Sequence, residues 1–180
     1  MEAGLELFSN KGLNGTSTNE IAQKAGVSIG TFYSYFENKK TLFLEILKNH
    51  LDTFVTGIYA LRIDDSTPIR EIVRDHVSKA FLTFDINPSF HKEALVMKFS
   101  DTDVLRLFAD VEQEQLAIIS ALLGHYYPER SPDDLYVVAK VIHSAVENVA
   151  HHVMFLNSPF DRYRLIDGLT DMIFQYVSSL

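Results

Sequence analysis

Two groups of residues in this 180-residue chain have the types and spacing for chemistry. One is the run Ser28-Ile29-Gly30-Thr31-Phe32-Tyr33-Ser34-Tyr35, where hydroxyls, a glycine and tyrosines stand together without a charge. An ordinary solvated helix face carries Lys and Glu. This one suits close approach to phosphate oxygens and to base edges in a DNA major groove. The other group is His143, Glu147 and His151 at i, i+4 and i+8, with His152 beside them. Imidazoles flanking a carboxylate on one helix face can ligate a metal or hold a small molecule by hydrogen bonds and charge. Satisfied polar groups at a subunit interface or on the surface give the same spacing. No HExxH-type signature and no second carboxylate–histidine motif accompanies the cluster, so no metal or cofactor is expected there. Zero Cys excludes thiolate sites and disulfides.

The elements that must position the first group are short and well punctuated. Ser17 followed by Glu20 forms a capping box, so a helix begins near Thr18, with Ile21, Ala22 and Ala25 facing inward. Gly26 ends it in the left-handed conformation that closes a helix, and Val27 is expected to tuck the connection against the core. Ser28 caps the next helix, about Ile29 to Tyr35, which is too short to stand alone and is anchored by Phe32 and Phe36. Asn38 caps a third helix, whose first N–H groups and Lys39 can receive a phosphate. The pattern is a helix-turn-helix. A three-helix subdomain with no nucleic-acid role has the same outline, but its outer face would carry charge.

From Gly26 to Phe36, then Glu37-Asn38-Lys39-Lys40 and Leu42, the run resembles the DNA-binding signature of the tetracycline-repressor (TetR) family of bacterial transcription regulators. Ala3 to Gly12 and Thr16-Ser17-Thr18 are similar to that family's first helix and the turn after it. The resemblance implies that Thr18, Asn19, Ser28, Ile29, Gly30, Thr31, Tyr33, Ser34 and Tyr35 meet double-stranded DNA. Tyr33, Lys39 and Thr18 would bind phosphate, and Asn19, Ile29, Gly30 and Thr31 would lie nearer base edges. Ile29 departs from the polar or basic residue common there; its side chain suits a thymine methyl. The family begins with a basic segment and a longer first helix, so a chain opening at Met1-Glu2-Ala3-Gly4 is expected to lack part of its natural N-terminus.

Charge is distributed unevenly. The formal net charge is −8, yet residues 1–50 hold five Lys and five Glu, so residues 51–180, with 11 basic and 19 acidic groups, carry all of it. A neutral DNA-facing part joined to an acidic remainder is compatible with approach to phosphates. At 47% hydrophobic residues the chain can bury a sizeable core. No apolar run nears the roughly 20 residues of a membrane span and no signal-peptide pattern opens the chain. The expected address is cytoplasmic, associated with the nucleoid.

The remaining periodicity is helical throughout. Leu42, Ile46, Leu47, Leu51, Phe54, Val55 and Ile58 mark a long helix from Lys39 to about Ile63. Thr67-Pro68 starts another, with Thr67 as cap and Pro68 in the first helical position, running to Phe84. Asn87-Pro88 breaks it, residues 89–99 form a short helix, and Asp101 caps one from Thr102 to about Leu123. Tyr59, Phe81, Phe84, Phe90, Phe99 and Phe108 are candidates either to line an internal cavity or to fill a core. His76 and His125 are isolated. Two final helices, about 132–156 and 161–178, carry more apolar stripe than one small domain needs, which marks an interaction surface.

These readings give an all-α protein: an N-terminal three-helix helix-turn-helix domain, residues 1–47, and a larger helical effector-binding and dimerisation domain, residues 48–180. The resemblance implies pairing of the last two helices with those of a second copy. The homodimer would set two recognition helices over a palindromic operator. The expected function is a regulator, a repressor released by a small-molecule effector that touches Tyr59, Phe81, Phe84, Phe99, Phe108, His143, Glu147 or His151. An enzyme is not expected. The alternatives are a helical metal-dependent enzyme using the His143/Glu147/His151 face and a dimeric adaptor that binds no DNA.

Overall fold

The computed structural model describes residues 1–58, 67–155 and 160–180, with the side chains of 56–58 left aside. Among the described residues the chain is helical without a strand, in agreement with the all-α expectation. The order is α1 (Glu2–Lys11), α2 (Thr18–Lys24), α3 (Ile29–Tyr35), α4 (Lys39–Ile58), α5 (Ile69–Thr83), α6 (Pro88–Lys98), α7 (Thr102–Tyr126), α8 (Pro132–Phe155) and α9 (Arg162–Ser178).

The punctuation read from the sequence has direct counterparts. Ser17 accepts from the Glu20 N–H while the Glu20 carboxylate accepts from the Ser17 N–H, which satisfies two orphan donors at the start of α2. Gly26, at φ 69°, closes α2: its own N–H bonds to the Gln23 carbonyl and the Val27 N–H to the Ala22 carbonyl, the paired bonds of a Schellman ending. Val27 itself is 42% exposed, so it does not tuck inward, because the bonds of the turn already fix the connection. Asn38 caps α4 through the Thr41 N–H, Asp101 caps α7, and Asp161 caps α9. Pro68 is the N-cap of α5 rather than its first helical residue, and no side chain caps that helix. Asn87 takes the left-handed conformation, φ 50°, that asparagine tolerates, and turns the chain into α6.

The described residues divide into two compact units, 1–52 with 87–109, and 53–86 with 110–180. The first therefore extends beyond residue 47 and takes in α6 and the start of α7. Its core explains why. Phe43 packs edge-on to Phe8 of α1 at 5.3 Å and against Phe90 of α6 at 5.0 Å, all three fully buried. His50 of α4 and His91 of α6 are buried and share a 3.2 Å hydrogen bond between ring nitrogens.

In the second unit α5 and α9 lie side by side, joined on the outside by Arg70–Asp171 and Arg74–Asp167 ion pairs at 2.5 Å. Beneath them Val77, Phe81, Leu116, Ile119, Ala139, Ile142, Val146, Ile166, Ile173 and Val177 form the core. Most of the apolar stripe expected to make an intersubunit surface on α8 and α9 is thus consumed inside the unit. What stays outside is a different stripe: Val137, Val141, Ser144 and Asn148 on α8, and Arg164, Gly168 and Met172 on α9.

Candidate nucleic-acid interface and apolar cavity

The geometry around α3 follows from how little of it is needed for packing. Phe32 is its one buried residue, set against Phe36 at 5.8 Å, and every other position of α3 is exposed. Ile29 is 39%, Tyr33 54% and Tyr35 77% exposed, a high value for side chains of that size. Ser28 caps the helix through the Thr31 N–H at 3.0 Å and also meets the Thr31 hydroxyl at 2.9 Å. Ser34 donates to the Thr31 carbonyl at 2.7 Å. Gly30 leaves open space where a side chain would stand; a Cβ there would have the Ser28 hydroxyl as its nearest neighbour, at 3.6 Å. A backbone or base edge can approach that point closely.

α2 and α3 meet at their polar ends. The Thr18 hydroxyl shares a 3.2 Å hydrogen bond with the Tyr33 hydroxyl, and Asn19 beside it is exposed. The Thr18–Tyr33 bond therefore links the sequence-predicted residues of α2 to those of α3, which are exposed all round that helix except at Phe32. Lys39 has a different place. Its ammonium donates to the Thr16 carbonyl at 2.9 Å and the Asn14 carbonyl at 3.4 Å, which ties the start of α4 to the α1–α2 turn. Of its three N–H donors, one at most is left for a phosphate.

The other lysines here are largely paired. Lys11 meets Glu20 at 2.6 Å, Lys24 meets Glu6 at 2.7 Å, and Lys40 meets Asp101 and Asp103 at 2.7 Å each. The Lys11 bond, with the Ser17 backbone, pulls the Glu20 carboxyl down to about 2. Asp101 and then Asp103 raise the Lys40 ammonium. Lys11, Lys24 and Lys40 are thus each already partnered by a carboxylate.

The described residues expected to touch an effector meet only in part, Phe84 with His151 and His143 with Glu147. Phe81 is fully buried in the core of the second unit, under the Arg162 guanidinium at 5.6 Å. Phe84 is buried edge-on to Phe54 at 5.5 Å and to His151 at 4.8 Å. Phe108 belongs to the first unit, against His91 at 5.9 Å and the Lys98 ammonium at 5.0 Å. Phe99 is 88% exposed, so it lines no cavity; it follows the last residue of α6 and faces out. His143 is buried 3.6 Å from Glu147, whereas His151 packs on Phe84 and Phe155. The His143/Glu147/His151 face is therefore split between two environments. Among the described residues no three His, Cys, Asp or Glu side chains come together as metal ligands. Tyr59 lies outside the described residues.

A cavity does exist, elsewhere in the second unit. It lies between α5, α7, α8 and α9, measures about 40 Å³, and is lined by Ile69, Ile72, Val73, His76, Ile119, Leu122, Leu123, Tyr126, Ile142, Ile173 and Val177. His76 is buried in this apolar wall; burial, then nearby His143, pulls its imidazole down to about 4, so it is neutral at physiological pH. The sequence sets His76 on the apolar face of α5, where a core or surface role is expected of it, but not at a cavity. Its apolar neighbours at i−4, i−3 and i+1 on α5 were the available signal.

Residues 1–46 match the family described as bacterial regulatory proteins, tetR family, and residues 68–176 match the tetracyclin repressor-like C-terminal domain. The chain is 38% identical over 139 residues to the HTH-type transcriptional regulator YuxN of Bacillus subtilis, covering 73% of this chain and 46% of that protein. It is 37% identical over 83 residues to the HTH-type transcriptional activator FasR of Mycolicibacterium smegmatis, covering 46% of this chain and 36% of that one. The chain thus spans less than half the length of either relative. Its fold is similar to the transcriptional regulator FadR from Bacillus subtilis in complex with stearoyl-CoA, with a TM-score of 0.73 over 96% of this chain and 94% of that one, at 18% identity. Among the described residues no helix is long and apolar enough to cross a membrane.

Proposed function

This chain belongs to the TetR family of bacterial regulatory proteins, and we propose that it is a regulator that binds a palindromic DNA operator as a homodimer and is released by a small apolar effector. The observation that carries the DNA reading is the uncharged exposure of α3 and the start of α2: Thr18, Asn19, Ser28, Ile29, Gly30, Thr31, Tyr33, Ser34 and Tyr35 carry no charge and are mostly exposed. Tyr33 and Thr18, joined hydroxyl to hydroxyl, present one phosphate-binding pair; Ile29, Gly30, Thr31 and Asn19 face base edges. Lys39 acts first as the brace of the α1–α2 turn and second as a phosphate donor. Residues 1–47 carry this role, and the helices that follow carry effector binding and dimerisation.

The exposed stripes of α8 and α9 support the homodimer. Val137 is 61%, Val141 48% and Met172 52% exposed, and a Cβ at Gly168 would meet nothing within 4 Å, which leaves room for a second copy's helix to approach. A two-fold dimer of this kind sets two α3 helices about 34 Å apart, one turn of B-DNA.

For the effector, the α5/α7/α8/α9 cavity supports an apolar molecule or apolar portion, with neutral His76 as the hydrogen-bonding group. Fold similarity to FadR with stearoyl-CoA supports the same chemistry. At about 40 Å³ the cavity is far smaller than the ~300 Å³ or more of a drug-sized site, so a ligand binds only where the helices part. Such a ligand prefers the parted state, and that preference, typically about 1–3 kcal/mol, is what changes operator affinity. The cell compartment that holds the DNA, the cytoplasm, is where this protein would act.

The test is selection of duplexes by the protein from a random-sequence library. Enrichment of an inverted repeat with half-sites one helical turn apart supports the reading. Enrichment of nothing above the starting pool sinks it.

A further inference from the structure

A carboxylate from α6 reaches the turn that joins α1 to α2. Glu93 Oε1 accepts the Leu13 N–H at 2.9 Å, across 80 residues of sequence. Helix-dipole electrostatics does not favour it there, since the C-terminal end of α1 is negative and prefers a cation. The contact also constrains its partner. Gly12, just past α1, has φ 69° and ψ 172°, a conformation that side chains other than glycine rarely adopt. A Cβ on it would stand 2.6 Å from Glu93 Oε1. The turn's shape requires the glycine, and a side chain there would push the Glu93 carboxylate off the Leu13 N–H.

α6 is itself fixed within the first unit. Phe90 packs on Phe43, His91 bonds to His50, and Ala94 is fully buried, so the helix that carries Glu93 has little freedom. On the other side of the turn a short series of bonds leads to the DNA-facing surface. The buried Thr16 hydroxyl donates to the Gly12 carbonyl at 2.8 Å, and Lys39 donates to the Thr16 carbonyl. The next residue, Ser17, caps α2, and the one after it, Thr18, meets Tyr33.

We infer that Glu93 is a positioning residue for DNA binding: from α6 it fixes the Gly12–Leu13 turn and thereby where α2 begins relative to α3. The inference rests on the DNA-binding reading above, and it adds a residue that touches no DNA. Its electrostatic signature runs opposite to simple charge. Removing an acidic group from a DNA-binding unit strengthens phosphate attraction, whatever that group's role. Losing a positioning bond weakens binding instead.

The experiment compares Glu93→Ala, Glu93→Gln and Glu93→Asp with the wild type, by anisotropy on the duplex the wild type selects and by amide hydrogen exchange without DNA. Gln removes the charge but keeps an oxygen at the right reach; Asp keeps the charge but is one methylene short. Glu93→Ala and Glu93→Asp are expected to weaken binding about tenfold and speed exchange at 13–18, with Glu93→Gln within about threefold of wild type. The salt dependence of binding stays unchanged in all three, because Glu93 neutralises no phosphate. If Glu93→Ala unfolds the unit, Glu93→Asp carries the same comparison. Equal or tighter binding by Glu93→Ala and Glu93→Gln alike, or unchanged exchange at 13–18, overturns the inference. Should the wild type select no duplex, the DNA-binding reading fails, and the exchange comparison still judges the Glu93 bond.

Discussion

The hydroxyls of Thr18 and Tyr33 lie 3.2 Å apart, joining the first residue of α2 to the middle of α3 at the exposed edge of the helix-turn-helix. Neither hydroxyl is needed to close a core, because Phe32 alone buries α3. The pair is a small polar platform whose geometry depends on both helices at once.

Tyr33→Phe tests that platform. It should leave thermal stability within about 0.5 kcal/mol, as an exposed substitution does. Operator affinity should fall about three- to tenfold on every sequence tried, since a phosphate contact carries no base information. Thr18→Val should behave alike, and the double variant should lose less than the two single losses added together. Binding titrations on two unrelated high-affinity duplexes measure both.

The Lys11 bond to Glu20, and after it the capping box, make α2 sensitive to acid. Glu20 in the folded protein titrates at about 2, below its ordinary 4.5, so its contribution is fully present above 4.5 and is lost as pH falls toward 2. Ser17→Ala should cost about 1 kcal/mol near neutrality. Lys11→Met, which removes the largest cause of the Glu20 shift, should flatten the part of the stability profile between pH 4.5 and 2 that Glu20 supplies. Melting curves across that range, followed by circular dichroism, test the prediction; equal slopes for wild type and variant would contradict it.

His76 works in the same direction at higher pH. Burial lowers its imidazole from 6.5 to about 4, so the unfolded chain binds the proton first. Stability is full above 6.5 and falls as pH drops toward 4, and buried His50, also lowered to about 4, adds to the fall. His76→Leu should make the decline shallower without removing it. It should also weaken any effector held at the α5/α7/α8/α9 cavity, which isothermal titration would read.

Val141→Glu tests the proposed homodimer. Val141 is 48% exposed in the single chain, so a charge there should leave the fold intact and set like charges against each other across a two-fold contact. Light scattering should report a monomer where the wild type is a dimer, and operator binding should fall with it. A monomeric wild type would remove the dimer from the account.

The N-terminal helices were legible because their signals are local. Ser17 and Glu20, Gly26, Ser28 and Asn38 each act on backbone groups within three or four residues, and each sits where its chemistry requires. Glu93 was invisible for the opposite reason: its partner is 80 residues away, and nothing near it in sequence distinguishes it from a solvated glutamate. Periodicity likewise identified α8 and α9 and the apolar stripe on each, but not that most of the stripe is used within one chain rather than between two. Tertiary packing used Leu135, Val138, Ile142 and Val146 for the unit's own core, and left Val137 and Val141 outside. Aromatic residues were the weakest guide to a cavity. Phe99 faces solvent, Phe81 and Phe84 fill the core, and the α5/α7/α8/α9 cavity is lined by aliphatic residues with His76 and Tyr126, neither of them among the expected effector contacts.

The most direct test of the central claim is anisotropy of the selected duplex against its single half-site at two salt concentrations. The account predicts that the full inverted repeat binds much more tightly than the half-site, that affinity falls as salt rises, and that Tyr33→Phe weakens both duplexes. Equal affinity for the repeat, the half-site and an unrelated duplex, with Tyr33→Phe indistinguishable from wild type, would contradict it.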